Sequence, residues 1–175
     1  YLDGCRVPKG NLLGEEGKGM SVALRTLDLT RVALGAICLG GARAALDAGV
    51  QYSVEHEQFG APIATKQIIQ KYVADAAVEV EAMRHLVYHA AWLVDQGRLT
   101  THQASTVKLF ASTAAFRIAN SMLQVHGGYG YMKEYAIERM YRDFRALEII
   151  EGTSQIQRFL IARKLYKDRG LEIRP

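Results

Sequence analysis

The sequence predicts an all-α protein, an antiparallel up-and-down four-helix bundle with an extra short helix, preceded by a short β-strand. Only three prolines occur among 175 residues, and long stretches rich in alanine, leucine, glutamine, arginine and valine favour helix. Apolar residues recur at spacings of three and four over about seven turns in the middle of the chain. Glycine-containing breaks separate these stretches, and helices joined by short loops pack as antiparallel neighbours.

Residues 1–20 differ from the rest of the chain. Leu2, Cys5 and Val7 precede a turn at Pro8, and a glycine-rich stretch follows. These signals predict a short strand, a turn and a loop. The glycine spacing fits neither the P-loop nor the dinucleotide-binding fingerprint, so phosphate binding by this loop is the weaker interpretation.

The first helix is predicted from Ser21 to about Glu57. Three glycines, Gly35, Gly40 and Gly41, lie inside it although glycine is a poor helix former. A missing side chain lets two backbones approach closely. We therefore expect a neighbouring helix to pack against this part of the first helix.

Four further helices follow a break at residues 59–62. Thr100 and Gln103 have the spacing of a capping box, and Gly97 and Gly127 supply helix stops. The predicted spans are residues 65–96, 100–125, 134–147 and 153–167. Helices this long in a small domain leave exposed flanks, which favours oligomerisation.

Composition argues against several classes of function. The net charge is +4, but basic and acidic residues alternate as on solvated helix faces, and no basic block indicates nucleic-acid binding. No apolar run reaches the length of a membrane span. The two cysteines form no motif and suggest a reducing compartment. His85 and His89 lack the glutamate of a zinc-binding motif, and His126 has no ligand at zinc spacing, so no metal site is predicted.

Glu151 is the candidate catalytic residue. It follows the largely apolar residues 146–150, Gly152 comes next, and Thr153 can cap the following helix. Apolar surroundings raise the pKa of a carboxyl group, and a general base needs a pKa near the working pH. The alternative interpretation is an exposed glutamate at a helix start, favoured by the helix dipole. The local sequence alone favours this alternative.

A second candidate region spans Gln124–Gly130. It is a helix end followed by a glycine-rich turn, where a ligand could approach backbone N–H groups closely. A purely structural helix stop explains the same residues, and local evidence leaves both interpretations open.

Four segments, taken together and in order, resemble the flavin-dependent acyl-CoA dehydrogenases. They are Val7-Pro8 with Leu13–Gly19, Phe59–Ile63, His126–Gly130 and Glu151–Arg158. The resemblance covers nearly the whole chain. It implies that residues 1–20 are the end of a middle β-domain plus a linker, that residues 21–175 are the C-terminal helical domain, and that the chain is part of a longer enzyme.

The resemblance implies a reaction. Members of this family oxidise acyl-CoA thioesters to trans-2-enoyl-CoA, with FAD accepting the β-hydride while Glu151 removes the α-proton. Electrons then pass to an electron-transfer flavoprotein. The family is usually a homotetramer built as a dimer of dimers. It acts in the cytoplasm of bacteria or in the mitochondrial matrix of eukaryotes.

The resemblance also implies which residues contact the ligands. For the substrate these are Asp28, Leu29, Thr30, Arg31 and Gly152. For FAD they are His56, Gln58, Phe59, Gln67, Gln124, Val125, His126, Gly127, Gly128, Thr153, Ser154 and Gln155. Residues 67 and 124–128 correspond to contacts with the FAD of a neighbouring subunit, whereas Thr153 and Gln155 correspond to contacts within the same subunit.

Three positions refine this expectation. Some relatives carry the catalytic base at the position of Thr30. A threonine side chain cannot serve as a base, so Glu151 is the only candidate for the base in this chain. His56 stands where the family usually has an arginine that contacts the FAD pyrophosphate, and Ile150 stands where tyrosine is common. Two alternatives stay open: an acyl-CoA oxidase, and a non-catalytic module that completes a partner's FAD site.

Overall fold

The computed structural model describes residues 1–173, and it confirms the all-α fold class. Five α-helices follow one another along the chain. They are α1 (Gly19–Glu55), α2 (Gln67–Asp95), α3 (Thr101–His126), α4 (Ala136–Leu147) and α5 (Ser154–Lys167). Short 3-10 helices span Lys9–Asn11, Ile63–Thr65 and Gly127–Tyr131.

The predicted strand within residues 1–20 is wrong. Before α1 begins at Gly19, the only regular element in this segment is the Lys9–Asn11 3-10 helix, and every residue in the segment is exposed. A strand needs a partner for its backbone N–H and C=O groups, and no described segment pairs with this one.

The strands that do form lie between α1 and α2. β1 (Glu57–Gln58) and β2 (Ala61–Pro62) pair as a minimal antiparallel hairpin. Its two loop residues, Phe59 and Gly60, have φ of 55° and 76°, as a two-residue hairpin turn of right-handed twist requires. The hairpin ends α1 and reverses the chain into α2.

Helix α3 lies at the centre of the bundle and packs against each of the other four helices. Its buried face is rich in alanine, so neighbouring backbones approach it closely. The buried alanines are Ala104, Ala111, Ala114, Ala115 and Ala119. The predicted capping box is confirmed: the Gln103 N–H donates to the Thr100 hydroxyl, and the Thr100 N–H donates to Gln103 Oε1 at 3.0 Å.

The predicted close approach along α1 is confirmed at Gly35 and Gly41 and wrong at Gly40. A Cβ on Gly35 would lie 2.5 Å from Val107 of α3, and one on Gly41 would lie 2.5 Å from Phe144 of α4. Gly40 is exposed and faces no other residue. Among residues 1–173, no helix combines the length and hydropathy needed to cross a membrane.

Candidate active site

Glu151 lies on the turn between α4 and α5, outside both helices. Its φ is 56° and that of Gly152 is 88°, so two consecutive residues adopt left-handed backbone conformations. For a residue with a Cβ this costs about 1–3 kcal/mol and persists only where the surroundings fix it. The interpretation of Glu151 as an ordinary residue of a helix's first turn therefore does not describe the structure.

Side chains from two helices fix the backbone of this turn. Arg31 Nε of α1 donates to the Glu151 carbonyl at 3.3 Å. Gln157 Nε2 of α5 donates to the carbonyls of Glu151 and Gly152 at 3.2 and 3.0 Å. Both Arg31 and Gln157 are buried, so these donors exchange little with water.

A buried lysine supports the same turn from α3. Lys108 is fully buried, and its Nζ donates to the Glu148 carbonyl at 3.2 Å. Burial lowers the pKa of Lys108, while the nearby Cys38 and Glu148 partly offset that effect. The backbone N–H of Ser154 donates to the same carbonyl at 3.0 Å, which ties the start of α5 to the end of α4.

The Glu151 carboxylate points toward α1. Thr30 Oγ1 donates to Glu151 Oε2 at 2.7 Å, and both residues are half-buried. Arg31, the next residue of α1, forms an ion pair with Asp28 at 3.0 Å. Of the residues that the resemblance implies for the substrate, Thr30, Arg31 and Gly152 therefore lie at the candidate base, and Asp28 is linked to it through Arg31. Leu29 adjoins them in sequence.

Three exposed apolar residues are sequence neighbours of Glu151 and Thr30. Leu29, Ile149 and Ile150 are about half exposed, although large aliphatic side chains are usually buried. Ile149 and Ile150 directly precede Glu151, and Leu29 directly precedes Thr30, so exposed apolar residues adjoin both partners of the contact in sequence.

Sequence reasoning missed Lys108 and Gln157 as parts of the site. Gln157 lies within the Glu151–Arg158 motif. Its side chain can donate to the carbonyls of Glu151 and Gly152 only because of the conformation of the turn. Lys108 follows Val107 in a stretch dominated by apolar and small residues. A lone lysine on a predicted core face was the available signal, because a lysine is buried only where specific contacts compensate it.

A second group of predicted residues lies at the far end of α1. A cavity of about 300 Å³ is lined there by Tyr52, His56, Gln58, Lys66, Gln124 and His126, among others. The rings of Tyr52 and His126 stack with centroids 4.3 Å apart, and Tyr52 also stacks on His56 at 5.0 Å. Burial raises the pKa of Tyr52, so its hydroxyl stays protonated near neutral pH.

The glycine turn forms one edge of this cavity. Gly127 ends α3 with φ of 60°, and both Gly127 and Gly128 are exposed with open space where a Cβ would lie. His126 is buried, and its Nδ1 lies 2.7 Å from the Met122 carbonyl. Because a carbonyl only accepts, Nδ1 is the donor in this contact.

The cavity's chemistry fits a cofactor that carries a pyrophosphate. Lys66 supplies a positive charge, and the lining residues include no carboxylate. The exposed turn lets a phosphate approach the backbone N–H groups closely. Gln67 is exposed at the start of α2 beside Lys66, and Phe59 is 94% exposed at the hairpin tip.

Two of the predicted FAD residues face inward instead. The side chain of Val125 is part of the hydrophobic core. Ser154 is buried, and its hydroxyl lies 3.4 Å from the Glu148 carbonyl. The side chains of these two residues are therefore occupied by contacts within the protein.

The structure divides the predicted FAD residues between two ends of the domain. Residues 153–155 adjoin Glu151, whereas the others lie around the cavity near Tyr52 and on the hairpin beside it. Tyr52 follows Thr30 by 22 residues on α1, which corresponds to ~33 Å at ~1.5 Å per residue.

No metal centre accompanies either end. Residues 1–173 contain no cluster of three histidine, cysteine or acidic side chains that could bind a metal ion. His85 lies 2.9 Å from Glu81 on the surface of α2.

The fold and the site together define a helical-bundle domain with a fixed carboxylate at one end and a glycine-edged cavity at the other. The family model described as "Acyl-CoA dehydrogenase, C-terminal domain" matches residues 17–166. The chain belongs to the acyl-CoA dehydrogenase family.

Named relatives agree with this assignment. The chain is 50% identical over 168 residues to cyclohexane-1-carbonyl-CoA dehydrogenase of Geobacter metallireducens, covering 96% of this chain and 44% of that protein. It is 45% identical to the caffeyl-CoA reductase-Etf complex subunit CarC of Acetobacterium woodii, covering 95% and 44%. The three-dimensional structure of butyryl-CoA dehydrogenase from Megasphaera elsdenii superposes with a TM-score of 0.89 at 41% identity, covering 91% of this chain and 42% of that one. The chain thus spans less than half the length of these relatives.

Proposed function

We propose that the protein containing this chain desaturates an acyl-CoA thioester to the trans-2-enoyl-CoA, with Glu151 as the base that removes the α-proton. The observation that carries the proposal is the fixed Glu151 turn. Its carboxylate accepts from Thr30 at 2.7 Å, and buried Arg31 and Gln157 bind its backbone. A general base contributes most when its position is fixed, with an effect of about 10²–10⁴ on rate.

The backbone N–H of Glu151 has a second role in this proposal. An α-C–H of a thioester loses its proton readily only when the carbonyl oxygen is polarised. Within residues 1–173, the Glu151 N–H donates to no protein acceptor, so it is available to the thioester oxygen. A preorganised donor of this kind contributes about 10²–10³ to rate.

The cofactor of this proposal is FAD, whose flavin accepts the β-hydride when it is bound. Thr153 and Gln155 lie within reach of a flavin that adjoins Glu151. Gln67, Gln124 and Gly127 lie too far from Glu151 to contact the same molecule within one subunit. We infer that they bind the FAD of a neighbouring subunit in a homo-oligomer, in keeping with a dimer of dimers.

The electron acceptor in this proposal is an electron-transfer flavoprotein. The relative named as a subunit of a caffeyl-CoA reductase-Etf complex supports such a partner. The same name favours a second candidate function, the reverse reduction of a 2-enoyl-CoA. In that direction the protonated Glu151 carboxyl group would return the proton to the α-carbon.

The test is turnover by the whole protein over a panel of acyl-CoA thioesters. Bound FAD is measured by absorbance, and activity by reduction of ferrocenium. We expect Glu151→Gln to bind FAD normally and to lose about 10²–10⁴ of the rate, because the amide cannot accept the proton. Glu138→Gln is the control, since Glu138 only pairs with Arg142 on α4.

Other outcomes separate the alternatives. Unchanged turnover in Glu151→Gln would overturn the base assignment. FAD binding without turnover in either direction would favour a non-catalytic module. Electron transfer to oxygen with release of peroxide would identify an oxidase.

A further inference from the structure

We propose that Thr30 is a positioning residue for the base: its hydroxyl orients the Glu151 carboxylate and stabilises its ionised form. This rests on the proposed function, because it concerns the same base. The resemblance implies Thr30 as a substrate contact at the position where some relatives carry the base, and Thr30 cannot act as a base itself. Its hydroxyl instead binds the residue that can.

The contact has the geometry of a strong hydrogen bond. Thr30 Oγ1 lies 2.7 Å from Glu151 Oε2, which is the length typical of a hydroxyl bound to a carboxylate. The competing acceptor, the Leu27 carbonyl, lies farther away at 3.2 Å. A hydroxyl has a single proton, so the shorter and charged contact is favoured.

The position of Thr30 makes the contact rigid. The residue lies within α1, and its β-branched side chain has few rotamers in a helix. Glu151 is fixed independently through its backbone by Arg31 and Gln157. The carboxylate is therefore fixed at both ends, at the Cα by the turn and at Oε2 by Thr30.

The other carboxylate oxygen stays available. Within residues 1–173, Glu151 Oε1 has no hydrogen-bond partner, since Thr30 binds only Oε2. The Glu151 carboxylate therefore keeps Oε2 bound to the protein and leaves Oε1 available to the substrate. The α-C–H bond breaks, its electron pair stays on the substrate, and the proton forms a bond with the free oxygen.

Titratable groups also lie near Glu151, but substituting Thr30 leaves them unchanged. Arg31 and its partner Asp28 face it from α1, Lys108 approaches from α3, and Glu148 precedes it at the end of α4. The nearest side chain of α5, Gln157, is neutral. A change in pH dependence on substituting Thr30 thus reports the lost hydroxyl.

The test compares three variants of the holoenzyme. Thr30→Val removes the hydroxyl and keeps the shape, Thr30→Ser keeps the hydroxyl, and Thr26→Val is the matched control. Thr26 lies one turn earlier on α1, is exposed, and its hydroxyl binds only the Val22 carbonyl. Bound FAD and the midpoint of thermal unfolding verify that each variant folds.

The first readout is the pH profile of kcat/KM. In Thr30→Val we expect the acidic limb to move up by about one pH unit, since hydrogen bonds to an ionised group favour it. We expect kcat below the limb to fall about tenfold with little change in KM. Thr30→Ser should restore the wild-type profile within about twofold, and Thr26→Val should match the wild type. A merely structural role would not move the limb.

The second readout does not need turnover. The carboxyl band that disappears from the pH-difference infrared spectrum in Glu151→Gln should titrate at higher pH in Thr30→Val. An unmoved band and limb, or a Thr30→Ser variant that behaves like Thr30→Val, would overturn the proposal. A rise in KM alone would do so as well, because it would make Thr30 a substrate contact only.

The two proposals fail separately. If Glu151→Gln keeps full activity, the function assigned to the base is wrong, whatever Thr30 does. If Glu151→Gln is inactive and Thr30→Val keeps the wild-type pH profile, only the function assigned to Thr30 is wrong.

Discussion

The strained backbone at Glu151 is maintained by contacts that local sequence does not contain. A left-handed residue with a Cβ costs about 1–3 kcal/mol. The three hydrogen bonds from Arg31 and Gln157 to the turn contribute about 1 kcal/mol each. The two effects are similar in size, so the turn stays in place only while these buried donors are present.

Cys38 offers an independent test of the buried region beneath this turn. Burial raises the pKa of its thiol from 9.0 to about 12, which leaves about a thousandfold less thiolate at any pH below that range. Because only the thiolate reacts with iodoacetamide, we expect alkylation of Cys38 at pH 8 to be slower than that of an exposed thiol by at least this factor. Peptide mass spectrometry over time measures the rate.

The control is the same reaction in guanidinium chloride, where Cys38 should react like an ordinary cysteine. Equal rates in the native and unfolded protein would mean that Cys38 is exposed in the native fold, which would contradict the packing of α1 against α3.

At the scale of elements, the glycines of α1 mark where other helices cross it. Gly35 faces Val107 and Val87, Gly41 faces Phe144, and a Cβ on Gly49 would lie 2.3 Å from Met122. The three glycines are spaced by six and eight residues, which spreads them over roughly 120° of the helix circumference at about 100° per residue. Helix α1 therefore approaches its neighbours over a broad part of its surface.

Two alanine substitutions distinguish this packing role from simple helix propensity. Gly35→Ala should destabilise the fold by about 1–3 kcal/mol, because the new methyl group would overlap Val107 in the core. Gly40→Ala should stabilise it by about 0.5–1 kcal/mol, because alanine is the better helix former and the site is open. Thermal unfolding of the whole protein measures both shifts, and shifts of the same sign would contradict the assigned crossing.

The helices could be predicted from sequence because their signals are local. Thr100 with Gln103 starts α3, Gly97 ends the preceding segment, and Thr153 caps α5, so each boundary depends on residues within a turn of it. The strand predicted in residues 1–20 failed because pairing depends on a partner elsewhere in space.

The site was less predictable for the same physical reason. Glu151 was found through its motif, but the Thr30 hydroxyl that binds its carboxylate lies 121 residues away. Gln157 is only six residues away, yet its role requires the left-handed turn between them. Sequence spacing identified the candidate base, and only the fold shows what fixes it.

At the scale of the whole molecule, the residues proposed to bind FAD lie near both ends of α1. The Glu151 turn and the glycine-edged cavity are ~33 Å apart along the helix. A symmetric dimer brings the same surface patch of each copy against the other. Each complete site would then combine the Glu151 end of one subunit with the cavity of its neighbour.

Complementation between two inactive variants tests this arrangement. Glu151→Gln loses the base and keeps the cavity. Gly128→Asp keeps the base and places a carboxylate where the cofactor's phosphates would bind, and the open space at Gly128 accommodates the side chain. In a mixed dimer, one of the two sites combines an intact Glu151 with an intact cavity. About half of the dimers are mixed when the variants are co-expressed in equal amounts, so about a quarter of wild-type activity should be restored. Differently tagged copies allow the mixed oligomers to be purified and their FAD content and turnover measured. If each subunit instead formed its own site, the mixture would be as inactive as its components, and the two ends of α1 would serve separate ligands.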